Sequence, residues 1–130
     1  MTKYITALFA VMILAGSSSL CSAADTYTCS LSRAYECVPD EGCKEWSLYD
    51  MALPRFVRID LKGRLITSLD KEIAQTSKIA SIDRLDGTIV MHGTELRGWS
   101  ISLGEDSGNV TLSASGDGEG FIVFGTCMNN

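Results

Sequence analysis

The chain has one histidine, His92, and it is the residue that could most readily carry a proton at neutral pH. A nucleophilic relay would need it beside an activated serine or cysteine. Serines are plentiful, but Gly98-Trp99-Ser100-Ile101-Ser102 lacks the final glycine of a nucleophile elbow. His92 follows Met91 in an alternating run, so it reads as an ordinary strand residue. Two adjacent acid pairs, Asp40/Glu41 and Glu105/Asp106, are the only candidates for glycosidase-type acid and base work. Neighbours on a strand point to opposite faces, and in loops both carboxylates stay solvated. No catalytic residue is assigned. A small envelope hydrolase therefore stands only as an alternative reading.

Metal and cofactor chemistry lack a platform as well. Asp117-Gly118-Glu119-Gly120 does not have the spaced oxygen ligands of a calcium loop. Cys37 and Cys43 stand too far apart for a zinc knuckle. Gly116, Gly118 and Gly120 alternate without opening a helix, so no phosphate is cradled at a helix terminus. No metal site and no cofactor are expected. What remains is recognition chemistry. Trp46 and Tyr49 fall in a cysteine-rich stretch where they can be exposed and anchor a partner. Asp117 and Glu119 form an acidic loop tip. These four are the candidate binding residues.

The first 24 residues read as a secretory signal peptide. Lys3 leads, an apolar run from Tyr4 to Ala15 follows, and small residues close it at Ala24. The run is too short to cross a bilayer, which takes about 20 residues. Cleavage after Ala23 is the close alternative. Leu20 before Cys21 breaks the small-residue rule for a lipidated cysteine, so Cys21 is expected to leave with the leader. The mature chain, residues 25–130, is one domain expected to be monomeric and periplasmic or secreted. Loss of Lys3 makes it one charge more acidic than the −5 of the whole chain. That balance argues against nucleic acid and anionic lipid. It suits a basic protein partner in the envelope, or plain solubility.

Cys29, Cys37, Cys43 and Cys127 remain after cleavage. An even count in an exported chain implies disulfides, with three pairings open. Cys37–Cys43 is expected around the turn-rich Val38-Pro39-Asp40-Glu41-Gly42, and Cys29–Cys127 as a staple between the first and last strands.

The elements that must position these residues are strands. Residues 25–54 form a cysteine-rich head, and 55–127 a strand meander with Pro54 at the joint. Val57, Ile59 and Leu61 alternate with Arg58 and Asp60, and Lys62-Gly63 turns the chain into Arg64–Leu69. Residues 70–77 read as a loop, at most with one helical turn. Lys78–Arg84 reads as a short strand in which Ile79 and Ile82 have opposite parity. Asp86-Gly87 predicts a hairpin into Thr88–Gly93. Trp99, Ile101 and Leu103 share a face, as do Val110, Leu112 and Ala114. Phe121–Phe124 is apolar on both faces, which marks a central or closing strand. The fold class is all-β: a single antiparallel barrel-like or sandwich domain with a disulfide-bonded N-terminal head.

Tyr27-Thr28-Cys29, Glu36-Cys37, the Arg55–Leu61 run, Gly98-Trp99-Ser100 and Gly120–Cys127 together resemble a family of small exported bacterial proteins. That resemblance spans most of the domain and brings no activity with it. Tyr27-Thr28-Cys29 and Cys127 also look like the ends of the envelope inhibitors of c-type lysozyme, which are small antiparallel barrels. Glu119 stands where that family's inhibitory Ser-Gly-x-x-Tyr loop has tyrosine, and its Trp-x-Lys-Gly segment is missing. No inhibitory residue carries over. The expectation is an exported, non-enzymatic binding or inhibitor module of the bacterial envelope. A barrel holding a small apolar ligand is the further alternative.

Overall fold

The computed structural model describes residues 24–130. The expected leader and Cys21 lie outside them, apart from Ala24. Ten strands follow in chain order. They are β1 (Thr26–Val38), β2 (Gly42–Trp46), β3 (Phe56–Asp60), β4 (Leu65–Ser68) and β5 (Thr76–Lys78). Then come β6 (Ser81–Leu85), β7 (Thr88–Gly93), β8 (Gly98–Gly104), β9 (Asn109–Ser115) and β10 (Gly120–Asn129). No helix occurs among the described residues.

All strands join one antiparallel sheet ordered β5-β4-β3-β1-β10-β9-β8-β7-β6, with β2 added beside the upper part of β1. The sheet curls into a half-barrel. It is one continuous sheet, not the two facing sheets of a sandwich. Its two end strands, β5 and β6, are consecutive in sequence and meet at a corner. There the Ile79 N–H donates to the Arg64 carbonyl (3.0 Å), while the Ala80 N–H donates to the His92 carbonyl (2.8 Å). One chain segment thus hands its bonding from one end of the sheet to the other, which leaves less open edge. The corner also accounts for the opposite parity of Ile79 and Ile82: the chain leaves one strand before entering the next. Thr76 and Ser77, expected as loop, pair with β4 instead, and Lys78, expected to open the next strand, pairs there with them. Nothing in so short and polar a run announces a strand apart from its partner.

The N-terminal strand is the spine. β1 pairs with β10 along one side, and with β3 and then β2 along the other. A bulge between Leu31 and Arg33 inserts Ser32, whose hydroxyl donates to the Phe124 carbonyl (3.1 Å). One extra residue reverses the side-chain alternation. Tyr27, Cys29 and Leu31 face inward before it, and Ala34 faces inward after it. Residues 26–38 of the expected head are therefore the middle of the sheet. Asp86 (φ 46°) and Gly87 (φ 79°) both take positive φ, as a two-residue hairpin turn of this twist demands.

The packed end of the interior holds Tyr27, Leu61, Ile79, Ile89, Met91 and Leu103, of which Ile89, Met91 and Leu103 are fully enclosed. Cys29 and Cys127 face each other across β1 and β10 and are joined, as are Cys37 and Cys43 across β1 and β2. Both expected pairings are present.

Candidate functional site

The other end of the interior is not filled. A cavity of about 410 Å³ opens there. Its walls are the inward faces of the strands: Val57 and Ile59 from β3, Ile101 from β8, Val110 and Leu112 from β9, Val123 from β10. Period-two alternation places them together, because each strand contributes every second residue to one face. Ala114 sits between Trp99 on β8 and Phe121 on β10, its partners in the ladder. Its methyl leaves room that a larger side chain would occupy. The Trp99 indole in turn packs against its cross-strand neighbour Gly93, where any Cβ would run into it.

The mouth is built by two segments. One is the residue 47–54 connection between β2 and β3. It is folded on itself by local bonds: Leu53 N–H to the Leu48 carbonyl (2.8 Å), Ala52 N–H to the Tyr49 carbonyl (2.9 Å), and Asp50 N–H to the Ser47 hydroxyl (3.0 Å). This arrangement turns Leu48, Met51 and Leu53 toward the core, and Met51, Leu53 and buried Pro54 line the cavity. The other is the β7–β8 turn. Leu96 is fully exposed there at φ 65°, beside Glu95 and Arg97. Arg97 donates to Glu119 (3.1 Å) and lies over the Phe121 ring, 4.6 Å from its centre. The Lys78 N–H donates to Glu95 (3.1 Å). Ser68, Gln75 and Ser77 add neutral hydrogen-bonding groups to the rim. Apolar walls with a few polar groups at the mouth are the ordinary composition of a small-molecule site.

A second concavity, about 990 Å³, lies outside the sheet between β2, the 47–54 segment and residues 69–73. Trp46 and Tyr49 stand in it, 43% and 77% exposed. Glu45 on its edge accepts two hydrogen bonds from Arg33 (2.8 Å each), and these hold its carboxyl below the usual range. Arg33 is correspondingly raised by the same contact. Asp70 accepts the Arg55 N–H. Leu53 borders both this groove and the inner cavity.

The four residues expected to bind thus fall in two places. Trp46 and Tyr49 share the outer groove. Glu119 is engaged by Arg97 in the loop before β10, near the tip of the β1–β2 hairpin, and Asp117 is exposed in that loop. The cavity wall went unrecognised as a site because its residues look identical to core in sequence. Leu48, Met51 and Leu53 offered a faint signal: three large apolar residues in one short connection between strands.

His92 is exposed on the outer face of β7, opposite Ser81 and Ser100. Of the acid pairs, Glu41 binds Lys44 (2.7 Å) and Glu105 approaches Arg84 (3.5 Å). Among the described residues no group of three potential metal ligands comes together, and no helix is long and apolar enough to cross a membrane. No family model, curated protein or solved structure matches the chain.

Proposed function

We propose that the mature domain is an exported, non-catalytic binding module whose ligand is a small, largely apolar molecule held inside the half-barrel. The apolar cavity of about 410 Å³ carries this reading. Its walls are hydrophobic on β1, β3, β8, β9 and β10, and burying each methylene of a ligand there contributes roughly 0.8 kcal/mol. Some eight methylenes, about 6 kcal/mol, begin to exceed the cost of immobilising a small molecule. Ser68, Gln75 and Ser77 on the rim orient a polar end of the ligand. Two disulfides fit an oxidising compartment and support a periplasmic or secreted location.

The test is titration of the oxidised domain with N-phenyl-1-naphthylamine, an uncharged apolar dye. Saturable one-site binding is expected. Ala114→Phe, placed between Trp99 and Phe121, should weaken it at least about tenfold, or 1.4 kcal/mol. Native mass spectrometry of gently purified protein should show a retained small molecule. Dye binding that ignores Ala114→Phe, or a wild-type domain that neither takes up the dye nor retains a molecule, rejects the reading.

A further inference from the structure

The outer groove differs in composition from the cavity, and this difference sets its ligand class. Trp46 and Tyr49 are exposed aromatic side chains three residues apart in sequence, and the turn that carries Tyr49 is braced by the Ser47–Asp50 hydrogen bonds. Around them stand Asp70, Glu72, Arg55 and Lys71, two of each sign. Glu45, also on the groove, is neutralised by Arg33. The charges cancel, so the groove selects neither an anion nor a cation by its field. It nevertheless offers many hydrogen-bond donors and acceptors beside flat apolar surfaces.

We infer that this groove is a second site, separate from the cavity, that binds a short neutral oligosaccharide. A pyranose ring has an apolar face of C–H groups and an equatorial belt of hydroxyls. The face stacks on an aromatic ring, with the ring's negative face meeting C–H edges. The hydroxyls donate to Asp70 and Glu72 and accept from Lys71, bonds that neutral–charged pairing strengthens. A volume of about 990 Å³ exceeds what one sugar needs and accommodates two or three linked units. A basic peptide would need an excess of acid, which the groove does not have. An apolar peptide would desolvate the charged groups that line the groove.

The two tryptophans make the sites separately readable, because Trp46 stands in the groove and Trp99 in the cavity. The oxidised domain carrying Trp99→Phe reports on Trp46, and that carrying Trp46→Phe reports on Trp99. Each is titrated to low-millimolar chitotriose, cellotriose and maltotriose. A saturable Trp46 shift with at least one sugar is expected, with Trp99 emission unmoved. In the Trp99→Phe background, Tyr49→Ala should weaken it about tenfold without loss of fold, since that side chain is mostly exposed. Ligand-observed saturation-transfer spectra should lose the sugar signal in Trp46→Ala. Silence with all three sugars overturns the inference, as does a sugar response through Trp99. Saturation of Trp46 by a lysine oligomer but by no sugar overturns it in favour of a peptide site.

Discussion

The half-barrel and its outer flank are built from the same parts and use them for opposite ends. Each has one disulfide, one tryptophan, and one arginine that binds a glutamate while lying over an aromatic ring. Inside or at the mouth these are Cys29–Cys127, Trp99, and Arg97 with Glu119 and Phe121. On the flank they are Cys37–Cys43, Trp46, and Arg33 with Glu45 and Tyr35. Burial decides what each part contributes. Cys29 and Cys127 are enclosed, whereas every residue of β2 is exposed. The crosslink between the first and last strands, far apart in sequence, constrains nearly the whole unfolded chain. An exposed crosslink across one hairpin constrains only that hairpin.

The largest expected contrast is therefore between the two disulfides. Their sequence separations are 98 and 6. In the chain-entropy account the long closure is worth about 4–5 kcal/mol and the short one about 2 kcal/mol. Cys29→Ala with Cys127→Ala should lower the melting midpoint by roughly 20 °C, at about 4–8 °C per kcal/mol for a domain of this size. Cys37→Ala with Cys43→Ala should lower it by less than half as much, and should leave dye binding in the cavity intact. Equal losses in calorimetry would break the comparison, because the hairpin would then be part of the cooperative unit.

A second contrast lies within the interior itself. Leu103 is fully enclosed at the packed end, whereas Leu112 borders the cavity and is half-buried. Leu103→Ala should cost about 3–4 kcal/mol, within the usual range for creating a void in a tight core. Leu112→Ala enlarges a space that already exists and removes fewer contacts, so roughly 1–2 kcal/mol is expected. Urea unfolding measures both. Reversed magnitudes would mean that the cavity end is the better packed one.

These contrasts also explain what could be read in advance. Alternation announced β3, β7, β8 and β9, since each has one face in water and one in the interior. Asp86-Gly87 announced its hairpin through turn chemistry. Cysteine count and turn residues were enough to pair Cys37 with Cys43. The bulge at Ser32 was invisible, because one inserted residue has no compositional mark. The start of β5 was invisible for a related reason: Thr76-Ser77 joins a strand only because β4 lies beside it. The cavity was hidden most deeply. Val57, Ile59 and Val110 have the same pattern whether they meet another side chain or empty space. Only the sheet's curvature and the small Ala114 decide which. Trp46 and Tyr49 were visible as candidates, since aromatics among charges and turn residues have little core to join. Their groove partners, at residues 69–73, are brought there by the tertiary fold alone.

The smallest expected effects come from titration, and the two regions respond at opposite ends of the pH scale. Tyr27 is raised above its usual value of 10.0, first by burial and then by the nearby Glu105. The folded state therefore holds the phenol proton more tightly than the unfolded chain. Its contribution is intact below pH 10 and declines as pH rises through the folded value. Glu45 is lowered, chiefly by the hydrogen bonds from Arg33. Its contribution is present above the ordinary glutamate range and disappears as pH falls through the lowered value. Both partners of that pair are largely exposed, so its loss should loosen the hairpin and leave the barrel alone. Tyr27→Phe should flatten the alkaline limb of the stability profile. Glu45→Gln should leave both limbs of global unfolding unchanged while raising amide exchange in β2. If Glu45→Gln instead shifts the global acid limb, the flank is energetically coupled to the barrel, and the division between a structural interior and a presenting exterior fails at Arg33.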